Sequence, residues 1–225
     1  MTLPVMINID RSVFITGTDT AVGKTRVAVA LLRQLAAAGR RVAAMKPVAA
    51  GGFETSHGLR NDDALDLAAA ASVRLPYEVV NPCCLPFATS PHLAARAAGR
   101  RIDIDALAAG YRRIAAAADL VIVEGAGGWL VPIGEPGRPG TTGPTMADLA
   151  RALGLPVVLV VGIRLGCLNH ALLTADSIRA SGLPFAGWIA NVLDPDFPGA
   201  DDYLAALDAR LPAPRLGLLP FSPVP

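Results

Sequence analysis

Lysine is scarce in this chain. Of 20 basic residues, 18 are arginine, and only Lys24 and Lys46 are lysine. A lysine kept against that bias suggests a place that needs a compact point charge, where a planar guanidinium will not serve. Cysteine is also scarce. Cys83, Cys84 and Cys167 have neither the number of a disulfide framework nor the spacing of a zinc motif, so they read as reduced structural thiols. Hydrophobic residues make up 52% of the chain, yet no uncharged run approaches the roughly 20 residues that cross a bilayer. The opening "MTLPVMINIDRSVF" lacks the basic region, apolar stretch and cleavage site of a signal peptide. The expectation is a cytoplasmic protein with no membrane partner. A net charge of +1 with no basic stripe argues against nucleic acid as the main partner. Internal repeats and Ser/Gly linkers are missing as well. The 225 residues therefore read as one domain, 1–225, with a full core.

What is present is an alternation of apolar runs and helical stretches. Strands are expected at 12–17, 40–48, 119–125, 156–162, 184–191 and 214–220. Helices are expected at 23–39, 62–72, 91–98, 103–118, 146–154, 169–182 and 201–211. "DLVIVEG" (119–125) is β-branched without alternation, which marks an interior strand covered on both faces. Repeated strand–helix–strand units imply an α/β fold, with a mostly parallel β-sheet flanked by helices on both faces. Ligands of such sheets gather at the carboxyl ends of the strands, so the polar residues that matter should follow strand runs. The stretch 132–145, rich in Gly and Pro, reads as a surface loop.

"GTDTAVGKT" (17–25) stands between the first strand and the first helix, the context of a phosphate-binding loop. Five residues separate Gly17 from Gly23, where the usual pattern has four; counted back from Gly23, the first position is Thr18. Backbone amides from Thr20 to Thr25 would wrap a phosphate at the helix N-terminus, with Gly23 permitting close approach. Lys24 would reach the β- and γ-phosphates, and the Thr25 hydroxyl would ligate Mg2+. Lys46 ends the second strand run and reads either as a solvated lysine or as a cation that neutralises a developing anion. Asn61, Asp62 and Asp63 all suit a helix start, and one of them is alternatively a magnesium ligand. Glu124, one of four glutamates, ends the most buried strand run before a Gly-rich turn, as a Walker B acid does. Gly166, Cys167 and Asn169 open another helix, where free amides suit a carboxylate; for Asn169 the plain alternative is an N-cap. Ser90 reads as a cap with Pro91 at the first helical position. Trp129 and Trp188 read as packing groups, and His57 and His170 as ordinary surface or packed histidines.

Taken in order, "GTDTAVGKT", "KPVAAG", "NDDAL", "NPCC…TSPH", "VEGAGGWLVP", "VVGIRLGCLNHALLTA", "AGWIAN" and "LGLLP" resemble the dethiobiotin synthetase family of P-loop NTPases over nearly the whole chain. The resemblance implies an ATP-dependent carboxylation and ring closure with Mg2+. Its substrates are 7,8-diaminopelargonic acid, carbon dioxide or bicarbonate, and ATP, and its product is dethiobiotin. It implies Lys46 as the active-site lysine, Lys24 on the phosphates and the reacting carbamate, and Thr25, Asp63 and Glu124 as magnesium ligands. Nucleotide contacts fall on Ala21, Val22, Gly23, Lys24, Thr25, Arg26, Asp63, Glu124, Gly125, Ala126 and Gly127. Asn191 with Val192 matches the adenine reader, and Pro220, Phe221 and Ser222 match a nucleotide-edge segment. Substrate contacts fall on Thr20, Lys46 and Ala50. Gly166, Cys167 and Asn169, with Tyr203 nearby, match a carboxylate clasp that the family takes from a second subunit, so a homodimer is implied. Ala50 replaces a family serine, Ala21 replaces a common glutamate, and the 134–144 loop is longer than usual. A competing reading is a ParA/MinD-like ATPase switch, but that needs a lysine at the position of Asp19. A cobyrinate-type amidotransferase would need a second, glutaminase domain.

Overall fold

The computed structural model describes residues 7 and 9–221. The chain runs β1 (Val13–Gly17), α1 (Lys24–Ala37), β2 (Val42–Met45), β3 (Val48–Ala50), β4 (Phe53–Thr55), β5 (Gly58–Arg60), α2 (Asp62–Ala70), α3 (Tyr77–Val80) and β6 (Cys83–Leu85). It continues through α4 (Pro91–Ala97), α5 (Ile104–Ala115), β7 (Leu120–Glu124), α6 (Met146–Leu153), β8 (Val157–Ile163), α7 (Cys167–Ala180), β9 (Phe185–Val192), α8 (Ala200–Asp208) and β10 (Arg215–Leu219). Six strands form one parallel sheet in the order β10-β9-β8-β1-β7-β2. The expected α/β class with a mostly parallel sheet is the observed one.

The apolar runs explain the layering. Alternate residues of one strand face opposite sides, so Phe14 and Val123 join a core with α5, α6, α7 and α8. Val13, Ile15 and Ile122 join the other core, with Val27 and Leu31 of α1 and Leu67 of α2. Every residue of β1, β7 and β8 is buried, as a sheet covered on both faces requires. No helix among the described residues is long and apolar enough to cross a membrane.

The expected strand over 40–48 is in fact two. Pro47 has no N–H for a ladder, and the Lys46 N–H leaves the sheet to donate to the Val80 carbonyl at 2.8 Å. The chain then turns into β3, which pairs in parallel with β6 in a separate two-stranded sheet. The antiparallel hairpin of β4 and β5 and the single-turn α3 lie in a stretch where the sequence gives no periodic signal. Gly23 is the N-cap of α1 in the left-handed conformation, so the helix begins at Lys24. The α7 helix begins at Cys167, two residues before the expected start, with Gly166 as N-cap. Pro91 opens α4 as expected, but the Ser90 hydroxyl does not cap it; the hydroxyl lies 3.0 Å from His92 Nδ1. The 132–145 stretch holds only one bridge, Pro132 to Thr145.

Candidate active site

Two backbone ties hold the loop between β1 and α1 from behind. The Thr18 N–H donates to the Val160 carbonyl at 3.1 Å, and the Val22 carbonyl accepts from Asn191 Nδ2 at 3.0 Å. Ala21, at φ 58°, and Gly23, at φ 90°, turn the backbone sharply. A Cβ at Gly23 would lie 2.1 Å from Asn191 Nδ2, so no other residue fits while Asn191 stays in place. The first turn of α1 has no acidic residue and no side-chain cap, which leaves its amides to an anion. Lys24 folds back over the loop, and its Nζ donates to the Asp19 carbonyl at 2.9 Å. Burial, helped by the neighbouring Lys46, lowers the Lys24 pKa to about 8, against the opposing pull of Glu124, Asp63 and Asp19. Thr20 is exposed, and its N–H donates to Asp19 Oδ1 at 2.7 Å.

Lys46 leaves the end of β2 and meets Glu124 at the end of the adjacent β7. Its Nζ donates to Glu124 Oε1 and, at 2.9 Å, to Asp63 Oδ2. Thr25 Oγ1 donates to the same Glu124 oxygen at 2.9 Å. Glu124 is fully buried, and its Oε2 has no hydrogen-bond partner among the described residues. Burial opposes the charge on Lys46, but Glu124 and Asp63 outweigh it and hold the ammonium above the usual lysine range. Burial also lifts the Glu124 carboxyl above its ordinary value, against the pull of Lys46. We assign the proton of this pair to Lys46, because its ammonium faces two carboxylates, Glu124 and Asp63. Burial resists the Asp63 charge as well, but Lys46 prevails and holds that carboxyl below its usual range.

At the start of α2 the three sequence candidates separate. Asn61 is the N-cap, accepting from the Ala64 N–H at 3.3 Å. Asp62 is exposed, and Asp63, released from capping, turns to Lys46. Among the described residues no group of three or more His, Cys, Asp or Glu converges as a metal cluster. The oxygen donors at the loop are two carboxylates and the Thr25 hydroxyl. Hard oxygens of this kind suit Mg2+ bound alongside phosphate better than a metal that needs a full protein cage.

The other flank of the loop is built from hydrogen bonds. Arg26 Nη1 donates to Asn191 Oδ1 and Nη2 to the Pro220 carbonyl, each at 2.6 Å. Asn191 is therefore engaged at both ends of its carboxamide, by Arg26 and by Val22. Val192 ends β9 beside it, Phe221 is exposed, and Ser222 lies outside the described residues. Behind the loop, the Gly125 N–H donates to the Ile15 carbonyl at 2.9 Å, Ala126 is buried in the core, and Gly127 turns at φ 61°.

On the third side, Arg164 Nη2 donates to Asp19 Oδ2 at 2.6 Å, joining the phosphate loop to the turn after β8. Gly166 and Asn169 are exposed, and Cys167 is buried, which pushes its thiol up. Asn169 is the third residue of α7 and not its cap. Beside this turn Leu165 is 81% exposed, and Leu173, farther along α7, is 62% exposed. Tyr203 packs edge-on against Phe197 with ring centroids 5.0 Å apart and makes no hydrogen bond to the turn. Ala50 ends β3 opposite Leu85.

Hydrogen bonds thus bring together Thr25, Lys46, Asp63 and Glu124, with Lys24 close enough to feel their charges; they do not join Tyr203 or Ala50 to this group. Arg164, Asn81 and Tyr77 belong to the surroundings of the site. Asn81 opens the "NPCC" stretch and Arg164 lies in "GIRLG", but the sequence assigns a role to neither, and Tyr77 lies in no motif. For Arg164 the available signal is its place between a strand end and a glycine turn.

A family profile described as an AAA domain matches residues 11–224. An ATP-dependent dethiobiotin synthetase of Cellvibrio japonicus is 50% identical over 93% of this chain and 89% of its own length. Its counterpart in Pseudomonas aeruginosa is 52% identical over 92% of this chain and 88% of its own length. Among solved structures, the MinD cell division protein of Aquifex aeolicus superposes with a TM-score of 0.58 at 15% identity, covering 95% of this chain and 84% of that one. MinD of Pyrococcus horikoshii complexed with Mg-ADP gives 0.54 at 18% identity, covering 96% of this chain and 83% of that one. At such identity the likeness reports the P-loop NTPase fold alone.

Proposed function

Because this chain belongs to the ATP-dependent dethiobiotin synthetase family, we propose a division of labour among its residues for that reaction. The enzyme is an ATP-dependent ligase that forms the ureido ring of dethiobiotin from 7,8-diaminopelargonic acid. One amine of the substrate adds carbon dioxide and loses a proton, giving a carbamate. A carbamate oxygen attacks the γ-phosphorus of ATP, and ADP leaves. The second amine then attacks the carbamoyl carbon of the mixed anhydride and loses a proton, closing the ring and expelling phosphate.

The difficulty is electrostatic, since carbamate and γ-phosphate are both anions. Their approach needs cations placed beforehand. Lys24, at the mouth of α1, screens the phosphates, and Lys46 screens the carbamate and the transferring phosphoryl group. The observation that carries this reading is the chain's two lysines, both buried, facing the same Glu124 and Asp63. Thr25, Asp63 and Glu124, with its unpartnered Oε2, fit a magnesium ion, which when bound neutralises phosphate charge. Lys46 uses the same carboxylates, so the two cations share one set of anions.

Asn191, Arg26 and Pro220 form the wall beside the nucleotide base, and Gly125 to Gly127 lie under the nucleotide. Thr20 and Ala50 face the diamine. Gly166, Cys167 and Asn169 clasp the substrate carboxylate of a neighbouring copy. The exposed Leu165 and Leu173 support a homodimer in which α7 completes the partner's site.

The test is ATP turnover measured with and without the diamine and bicarbonate. Phosphate release should require both and match dethiobiotin formed. Turnover that ignores the diamine would instead indicate an ATPase switch.

A further inference from the structure

We propose that Asn81 and Tyr77 are positioning residues that set the separation of the Lys46 ammonium from the Asp63 carboxylate. Both main-chain polar groups of Lys46 are held by neighbours outside the large sheet. Its N–H donates to the Val80 carbonyl at 2.8 Å, and its carbonyl accepts from Asn81 Nδ2 at 2.6 Å. These bonds stand where Pro47 ends the β2 ladder. Asn81 is 3% exposed, so its amide has no water to turn to.

From Asn81 the chain of bonds runs to Asp63. Asn81 Oδ1 accepts from the Tyr77 hydroxyl at 2.9 Å, and the Tyr77 hydroxyl oxygen accepts from the Asn61 N–H at 2.8 Å. The other neighbour of the hydroxyl, Cys84 Sγ, lies at 3.7 Å, so the proton points to Asn81. Asn61 caps α2, and Asp63 is two residues further on. The Lys46–Asp63 contact at 2.9 Å closes the ring. Cutting a satisfied buried network at one point leaves two polar groups unpaired, so the two backbones it ties lose their mutual register.

The inference rests on Lys46 as the cation that screens the reacting anions. In Tyr77→Phe and Asn81→Ala we expect kcat to fall about 10- to 100-fold, the scale on which an ångström of misplacement acts. Affinity for ADP without metal should stay within about two-fold of the parent, because the loop backbone is tied to Val160 and Asn191 and meets this ring only through the Thr25 hydroxyl on Glu124. The double variant should cost no more than the worse single one, as members of one network do. Arg60→Ala removes a guanidinium stacked 4.2 Å from the Tyr77 ring centroid but breaks no hydrogen bond of the relay, and should keep the parent kcat. Parent kcat in Tyr77→Phe, with only a lower melting temperature, overturns the proposal. So do additive losses in the double variant, or loss of ADP affinity together with kcat. If Tyr77→Phe does not fold, Asn81→Ala carries the test; if neither folds, the relay is a folding element and the proposal fails. Lys46→Ala in the same assay separates the two ideas, because an active Lys46→Ala sinks the role of the lysine itself.

Discussion

The two flanks of the phosphate loop are held by opposite chemistry. Toward β2, β7 and α2 the wall is ionic: Lys24, Lys46, Asp63 and Glu124 crowd together, with Glu124 wholly dry. Toward β9 and β10 the wall is a carboxamide, a guanidinium and two backbone carbonyls in fixed hydrogen bonds. Buried ions bind one another strongly, but each has paid a large desolvation cost and re-pairs readily when a new charge arrives. An amide bonded at both ends has no such freedom. The ionic flank is thus equipped to exchange partners as anionic substrates enter, and the amide flank to keep the loop still while that happens.

The largest effect should come from cutting the ionic flank. Lys46→Ala should abolish ring formation and cost about 3–5 kcal/mol of stability, because Glu124 is left buried without a cation. Lys46→Met/Glu124→Gln, which removes both charges, should regain most of that stability and none of the activity. Denaturant titration beside product assay checks this. If Lys46→Ala proves as stable as the parent, the ionic flank is not the dry cluster described.

A smaller effect is expected on the amide flank, at Gly23. Gly23→Ala drives a methyl into Asn191 and should nearly abolish nucleotide binding. Asn191→Ala in the same chain should restore part of it. The left-handed backbone strain of roughly 1–2 kcal/mol would remain. Calorimetric titration with ADP reads both, and no recovery in the double variant would mean that Asn191 is not the obstacle.

The smallest effect separates the flanks by pH. The Lys24 pKa is about 8 in the folded chain, below the 10.5 of a free lysine side chain. From about pH 8 to 10.5 the folded chain gives up this proton while the unfolded chain keeps it, so this group's contribution to stability rises with pH across that window and is flat below it. Phosphates drawn to Lys24 should restore its charge. Binding of ADP without metal should therefore take up protons, most strongly above pH 8, between the free and bound pKa of Lys24, in titrations run in buffers of different ionisation heat. The Arg26–Asn191 side should contribute none. A binding heat independent of buffer in that range would remove the distinction.

Much of this could be read from residue patterns, and the exceptions share a cause. Unbroken apolar runs and glycine or proline stops mark the long elements, so β1, β7, β8 and the helices around them fall within a few residues of expectation. The paired strands β3 and β6 and the β4–β5 hairpin are three residues long, too short to show a period. In the site, Lys24, Thr25 and Glu124 are legible because strand ends and a helix start announce them. Asn61 and Asp63 are interchangeable on paper; only the direction of the α2 axis decides which caps and which reaches Lys46. Arg164 and Asp19 stand 145 residues apart and meet because β8 lies beside β1. No local pattern carries such a contact.

The shortage of lysine has a practical use. Both ammonium groups lie inside the site, at 6% and 3% exposure, while the arginines elsewhere are inert to acylating reagents at neutral pH. Apart from the amino terminus, an amine-directed acetylating or biotinylating reagent finds no exposed lysine to modify. The rate at which Lys24 and Lys46 gain mass therefore serves as a clock for how often the site opens, without any introduced probe.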